Sequence, residues 1–422
     1  MSTPQDPDPR AGRRAQRVAL PRDIWVLVGA AFIIAMGWGI VAPVLPTFAQ
    51  SFDVSVTAAS AVISAFALCR LVFAPAGGWL VTKVGQRRVY LAGLLVVAVS
   101  SAASAAAASY AQLLVLRGLG GIGSTMFTIS AMGLIVRLAP PQARGRASSV
   151  YGSAFLLGSV GGPVVGGLMA GLGLRVPFLV YAALLVVATV VVAVLLKEPD
   201  GADAGPGGAD ARPDAGPDAG PVVVDVAPMS LREAWADSAF RAALASSFAN
   251  GWTNLGVRIA IIPLLAISVS GGETWASGAV LTVFAAGNVL ALTAAGRGSD
   301  LYGRRPFLLV GFIAGGVLTA VLGWGGGIVS LMVLSALAGV AAGLALPAQQ
   351  AAVADVIGSE RSAGHVLATF QMAGDLGNIL GPVLAGLIVD HVGYGAAMAT
   401  SGGLMVLAGF GWLAARETHE RR

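Results

Sequence analysis

One cysteine, three histidines and a charged fraction of only 11% supply almost all the reactive and ionic chemistry available to 422 residues. Cys69 has no second thiol to meet, which excludes an intrachain disulfide and a thiolate metal cluster. His365, His391 and His419 are too scattered for ligand spacing, so no metal and no cofactor is expected. No serine nucleophile elbow and no carboxylate or histidine cluster is visible, so an enzyme is not expected either. Ordinary soluble domains carry about 25% charged residues. This chain therefore does not read as one.

What replaces charge is apolar surface: 56% of the residues are hydrophobic, mean hydropathy is +0.80, and glycine occurs 58 times. Apolar runs recur from end to end, each near the roughly 20 residues that a ~30 Å hydrocarbon layer demands of a helix. Punctuation by Gly, Pro and charge predicts twelve transmembrane helices near 24–48, 57–80, 89–109, 112–136, 149–172, 176–196, 243–269, 276–296, 306–325, 328–353, 365–389 and 394–414. The first run is too long for a signal-peptide core and lacks a cleavage site, so it is kept as a helix.

Lysine and arginine give the expected sidedness, because basic loops resist translocation. Of the 26, five lie in the N-terminal tail, seventeen in even-numbered loops, the central segment and the C-terminal tail, and three inside spans; only Arg175 falls opposite. Both termini are thus expected in the cytoplasm, as a multi-pass protein of the cell membrane. The net charge of +5 expresses this asymmetry, and no nucleic-acid partner is expected. Residues 200–221, rich in Gly, Pro, Ala and Asp, read as a disordered tether. The expected organisation is a tail (1–22), a six-helix bundle (23–197), a linker (198–240), a second six-helix bundle (241–415) and a short tail (416–422), all-α throughout.

Two motifs each occur twice. Gly78, Thr82, Gly85, Arg87 and Arg88 close the second helix of the first half, and Gly296, Asp300, Gly303, Arg304 and Arg305 close its counterpart, offset by 218. Gly158, Gly162, Pro163, Gly166 and Gly167 in the fifth helix match Gly377, Gly381, Pro382 and Gly386 in the eleventh, offset by 219. Matching offsets imply duplication. Since six is even, both copies run the same way, giving parallel repeats with a site expected at mid-depth between them.

These residues resemble the major facilitator superfamily across nearly the whole chain outside the tail and linker. The first motif is similar to that family's G-x-x-x-D-R-x-G-R-R/K signature, with Thr82 in place of its aspartate, which the second copy keeps as Asp300. Arg117 to Gly123 resembles R-x-x-Q-G-x-G, with Gly120 at the usual glutamine. The fifth helix matches G-x-x-x-G-P-x-x-G-G, which within the superfamily marks proton-coupled drug exporters. The resemblance implies a secondary active exporter of hydrophobic or amphipathic small molecules, with protons and the bilayer as partners and a monomeric state; the alternative is import or symport of a small metabolite. With no G-x-x-x-x-G-K-S/T loop, the driving force is expected from ion gradients or a partner protein.

Four charges lie inside the predicted spans: Arg70, Arg117, Arg258 and Asp375. Each costs roughly 2.5–3.5 kcal/mol on insertion scales unless paired or wet, so together they form a candidate charge network. Asp375 is expected to pair with Arg70 across the halves or with Arg258 within its own, and to lose the pair on protonation. Drug exporters of this group often carry an acid in the first helix, which this chain lacks. The glycine stripe at 158, 162 and 166, kinked by Pro163, is expected to seal one half against the other. Arg87, Arg88, Arg304 and Arg305 are candidates for a latch at the cytoplasmic edge. By the family's helix arrangement, Trp38, Met126, Thr128, Asn250, Trp252, Asn254, Gln349 and Gln350 are candidate cavity residues, an apolar aromatic set with a few amides.

Overall fold

The computed structural model describes residues 19–140, 143–196, 229–358 and 364–418, and among these there is no strand. Among the described residues ten helices are long and apolar enough to cross a bilayer, and counting two bent pairs as single spans brings the number to twelve. In chain order α1 is Arg22–Val41 continued by Leu45–Gln50, α2 is Val56–Val72 with Ala74–Val84, α3 is Gln86–Ala105, α4 is Tyr110–Leu138, α5 is Arg144–Met169 and α6 is Val176–Leu195. The second half runs α7 (Ser238–Ala260 with Ile262–Val269), α8 (Trp275–Tyr302), α9 (Arg304–Leu322), α10 (Ile328–Ile357), α11 (Gly364–His391) and α12 (Tyr394–Ala414). This is a multi-pass membrane protein.

Proline explains the interruptions. Pro46, Pro75 and Pro263 each sit in the first turn of the piece that follows a break, where the missing amide costs nothing but the preceding turn cannot continue. The resulting bends are 49° in α2 and 42° in α7. Within α7, Gly251–Val257 widens into a π-helical turn. Pro163 and Pro382, by contrast, lie inside unbroken helices, so the predicted kink does not interrupt α5.

The expected helices are all present with shifted ends, the largest at α8, which continues to Tyr302, and at α5 and α7, which begin at Arg144 and Ser238. The predicted tether at 200–221 and both chain ends lie outside the described residues. Just before α7, Leu231–Ala236 forms one capped turn, with the Ser230 hydroxyl accepting from the Glu233 amide and the Glu233 carboxylate accepting from the Ser230 amide. Residues 229–240 fall within the expected linker, and the Ser-x-x-Glu capping box is the sequence signal of this turn.

Helices α1–α6 pack chiefly among themselves, as do α7–α12, giving two six-helix bundles. The bundles meet where α11 lies along the Val56–Val72 piece of α2 and where α8 lies along α5, with Arg258–Ala260 of α7 touching α1 and α2 and Ile262–Val269 touching α1. An apolar core containing Phe48, Val56, Ile63, Ile261, Leu265, Ala385 and Val389 joins both halves there. The Ala74–Val84 piece of α2 packs extensively only within its own bundle, and a second core (Phe240, Phe312, Phe370, Trp412) belongs to the second half alone. The molecule is therefore closed at the end remote from the termini and parted at the end that carries them.

Candidate functional site

The closed end is built from two seams related by the repeat. At the first, a Cβ on Gly167 of α5 would stand 2.9 Å from the Cα of Gly278 in α8. At the second, a Cβ on Gly386 of α11 would stand 2.8 Å from the Cα of Thr57 in α2. Gly167 and Gly386 are equivalent, 219 residues apart. Only glycine permits such backbone approach. The second seam also carries a polar clamp: the Asp390 carboxylate accepts from the Val56 amide (2.9 Å), the Thr57 amide (2.9 Å) and the Thr57 hydroxyl (2.5 Å). An anion placed on the free N–H groups that open α2 is favoured by their partial positive charge.

The remaining motif glycines do not join the halves. Cβ atoms on Gly158, Gly162 and Gly166 would meet the α1 backbone at Phe32, Gly39 and Ile40 respectively. Gly377 and Gly381 meet α7 at Phe248 and Trp252, and the Pro382 ring lies against Gly256. The expectation of an inter-half seal is thus corrected: the stripe fastens α5 to α1, and α11 to α7, inside each bundle. Small residues at i, i+4, i+8 specify close approach but not the partner.

Of the four charges within the spans, Asp375 and Arg70 lie on α11 and α2, the two helices that pack together at the second seam. Asp375 is half-buried, Arg70 is exposed, Arg70 is the charge that acts on Asp375, and no ion pair within 4.0 Å joins them. The Arg70 carbonyl accepts from the Thr125 hydroxyl at 2.7 Å, tying this turn to α4. Arg258 is elsewhere, so its pairing with Asp375 is corrected: it is 3% exposed, its guanidinium lies 3.6 Å over the Phe284 ring, and its Nε donates to Asn254 at 3.3 Å. Arg117, fully buried, lies 5.2 Å from the Trp38 ring and 5.1 Å from the Phe66 ring, which themselves stack at 5.1 Å. Its three guanidinium nitrogens have no hydrogen-bond partner among the described residues, nor does Nη1 of Arg258.

At the parted end the duplicated loops differ. Gly85 (φ 94°) and Gly303 (φ 97°) make the same left-handed turn into the next helix. Beyond that, Arg304 binds Asp300 and, at 3.3 Å, Asp355; the Arg304 and Arg305 amides donate to Glu417 at 3.0 and 3.1 Å; and the Arg305 Nε donates to the Trp412 carbonyl at 2.8 Å. In the first copy the Thr82 hydroxyl turns back to the Trp79 carbonyl (2.7 Å) and Arg87 reaches the Ala193 carbonyl at the end of α6 (2.7 Å), while Arg88 is exposed. Every one of these contacts stays within its own bundle, so among the described residues they form no latch between the halves. Gly78 and Gly296 have open space around them.

The family model of the Major Facilitator Superfamily matches residues 27–275 and again 243–422. The chain belongs to that superfamily. Its curated relatives include the quinolone resistance protein NorA of Staphylococcus aureus, 30% identical over 182 residues, and multidrug resistance protein 2 of Bacillus subtilis, 26% identical over 173 residues. These alignments cover 42% and 41% of this chain and 46% and 43% of those proteins, so the chain spans less than half the length of the curated relatives it matches. Among solved structures, a bacterial homolog of the human lysosomal transporter Spinster superimposes with a TM-score of 0.70 at 16% identity, covering 94% of this chain and 95% of that one. The human organic anion transporter MFSD10 gives 0.63 at 19%, covering 93% and 100%. The likeness to both is one of fold.

The candidate cavity residues of this superfamily member separate into three groups. Trp38 belongs to the Arg117 cage. Asn250, Asn254 and Arg258 form a ladder along α7, with Asn254 donating to Asn250 at 2.9 Å. The others take packing roles or line an edge. Trp252 donates to Ser401 of α12 (3.1 Å), Gln349 to Ser246 of α7 (2.8 Å), and Thr128 to its own helix at Ser124 (2.7 Å). Gln350 is exposed, and Met126 lines a groove with Phe73, Ala76, Gly77, Trp79, Leu80 and Ile122. Sequence reasoning passed over Phe66, Phe284, Asp390 and Gly278. The two phenylalanines stand 218 residues apart, the offset already in hand, and would have been found by asking which aromatic residues repeat with the motifs.

Proposed function

We propose that this protein is a secondary active transporter of the cell membrane that exports hydrophobic or amphipathic small molecules in exchange for protons, with both termini in the cytoplasm and the two bundles (residues 23–197 and 241–415) rocking about a site between them. The observation that carries this reading is Asp375: away from the helix ends it is the single carboxylate in the described spans, and it lies on α11, which packs along the α2 helix that carries Arg70 of the other bundle. A charged carboxylate is attracted by a guanidinium of the other bundle; taking a proton removes that attraction across the seam. Proton occupancy and the relation of the halves are then linked, which is what exchange requires.

The curated relatives are named for quinolone and multidrug resistance, which supports export. The glycine-proline element in α5 points the same way. In inverted vesicles with an imposed pH gradient, the wild-type chain is expected to accumulate lipophilic compounds, and Asp375→Asn to lose pH-driven transport at least tenfold while inserting normally. Undiminished transport by that variant overturns proton coupling at Asp375, and counterflow of a sugar or amino acid alone makes the protein an importer or symporter.

A further inference from the structure

Away from the helix ends, the described spans carry three guanidinium groups against one carboxylate, and Arg70 is the charge that acts on that carboxylate. Among the described residues no carboxylate pairs with Arg117 or Arg258, and the titratable side chain that acts on Arg117 is the Tyr181 phenol. The two arginines occupy comparable places: Phe66, under Arg117, and Phe284, under Arg258, stand 218 residues apart, each about 15 Å in from the closed end at 1.5 Å per residue. One cation per bundle is thus held at the same depth on the same repeated ring. The short segment Arg258–Ala260 also touches α1 and α2 of the other bundle, so parting the closed end uncovers it.

An aromatic face attracts a guanidinium but accepts none of its in-plane N–H groups, so a buried arginine held by rings, with one amide oxygen added at Arg258, retains its demand for a negatively charged acceptor. Four such N–H-bearing nitrogens are unmatched here, three on Arg117 and one on Arg258. The stacked Trp38 and Phe66 rings beside Arg117 offer a surface for a flat apolar body.

We infer that the transport site selects organic anions: an aromatic body carrying a carboxylate or sulfonate, its charge drawn by Arg117 and Arg258. This rests on the reading of the space between the bundles as the substrate site, and it narrows that substrate to one charge class. The test uses three probes with one ring system, 2-naphthoate, 2-naphthylmethanol and 2-naphthylmethylamine, titrated calorimetrically into the full chain in nanodiscs. The anion is expected to bind at least tenfold more tightly than the alcohol, and the amine most weakly. Arg258→Gln and Arg117→Gln should each cost the anion about tenfold and the alcohol less than twofold, while Arg258→Lys and Arg117→Lys restore the anion to within threefold. Equal or tighter binding of the alcohol or amine by the wild type overturns the proposal, whether or not the variants fold, as does an equal loss for anion and alcohol in a folded Gln variant. Transport is scored separately: pH-driven movement of the amine without anion binding sinks this inference and leaves export standing, whereas an anion preference with no pH-driven movement of any probe leaves this inference standing and sinks export.

Discussion

The seam between α5 and α8 and the seam between α11 and α2 descend from one repeated motif, yet they hold by different means. Both place a glycine against backbone of the opposite bundle, Gly167 on Gly278 and Gly386 on Thr57. Only the second adds a charge, because α11 runs as regular helix to His391 and brings Asp390 over the amides that open α2. Helix α5 gives way to a short 3-10 turn at Ala170–Leu172, and the position 219 residues before Asp390 is Gly171. The lesson is a division of labour: dispersion at both seams sets how closely the bundles approach, while a single carboxylate at one of them sets which hydrogen bonds must break for the closed end to open.

The largest test separates seam from scaffold. Gly167→Val forces a side chain into the α8 backbone and is expected to bias the protein toward opening at this end by about 1–3 kcal/mol, or roughly 5- to 150-fold. Spin labels on Asp53 and Glu273, in the loops that flank the closed end, should report a longer distance while Tm changes little. Gly162→Val instead strikes Gly39 within one bundle and should lower Tm by several degrees, with the label distance unchanged in the fraction that folds. If the two variants behave alike, the distinction between seam and scaffold is wrong.

A smaller effect is expected from Asp390→Ala, which strips three hydrogen bonds from the end of α2. Loss of a helix-opening acceptor typically costs about 1 kcal/mol, so the open population should rise about fivefold by the same label pair. Thr57→Val removes only the hydroxyl contact and should give a fraction of that shift. A change at Asp390 that leaves the distance distribution untouched would show that glycine packing alone closes the seam.

The smallest effect lies at the parted end, away from both seams. Asp237, just ahead of α7, is partly buried, which by itself raises its pKa, but hydrogen bonds from Arg416 and the Ala239 amide, with the Arg416 and Arg241 charges, outweigh this and hold it below its ordinary value. A group depressed in the folded state contributes fully above its unfolded pKa of about 3.9 and loses that contribution as pH falls through the lower native value. Because Arg416 is half exposed, the contribution is below about 1 kcal/mol. Asp237→Asn should therefore lower Tm slightly at pH 7 and match the wild type near pH 2, with no change in the label distance at the closed end.

The same comparison shows how far a sequence reading reaches. Hydropathy located every span, since the length of an apolar run answers directly to bilayer thickness, and the paired offsets disclosed two bundles in parallel. The isolation of Asp375 was also visible, because an acid inside an apolar run needs no neighbours to be conspicuous. The partners of Gly158, Gly162 and Gly166 were not visible: a stripe of small residues invites any helix, and only packing chose α1 over the opposite bundle. Arg258 was assigned to Asp375 by sign of charge, but the widened turn at Gly251–Val257 aims it at Phe284 instead, and helical periodicity of 3.6 does not anticipate an inserted residue.

From its order of residues alone this chain was bound to be a duplicated twelve-span membrane protein, poor in charge and with one interior acid, since those properties are sums over local composition and period. Which end is shut, that Asp390 clamps it, and that Arg117 and Arg258 rest on equivalent rings without a carboxylate were decided in three dimensions. Each depends on contacts between helices far apart in the chain, where side-chain direction and close backbone approach, rather than hydrophobicity, select the partner.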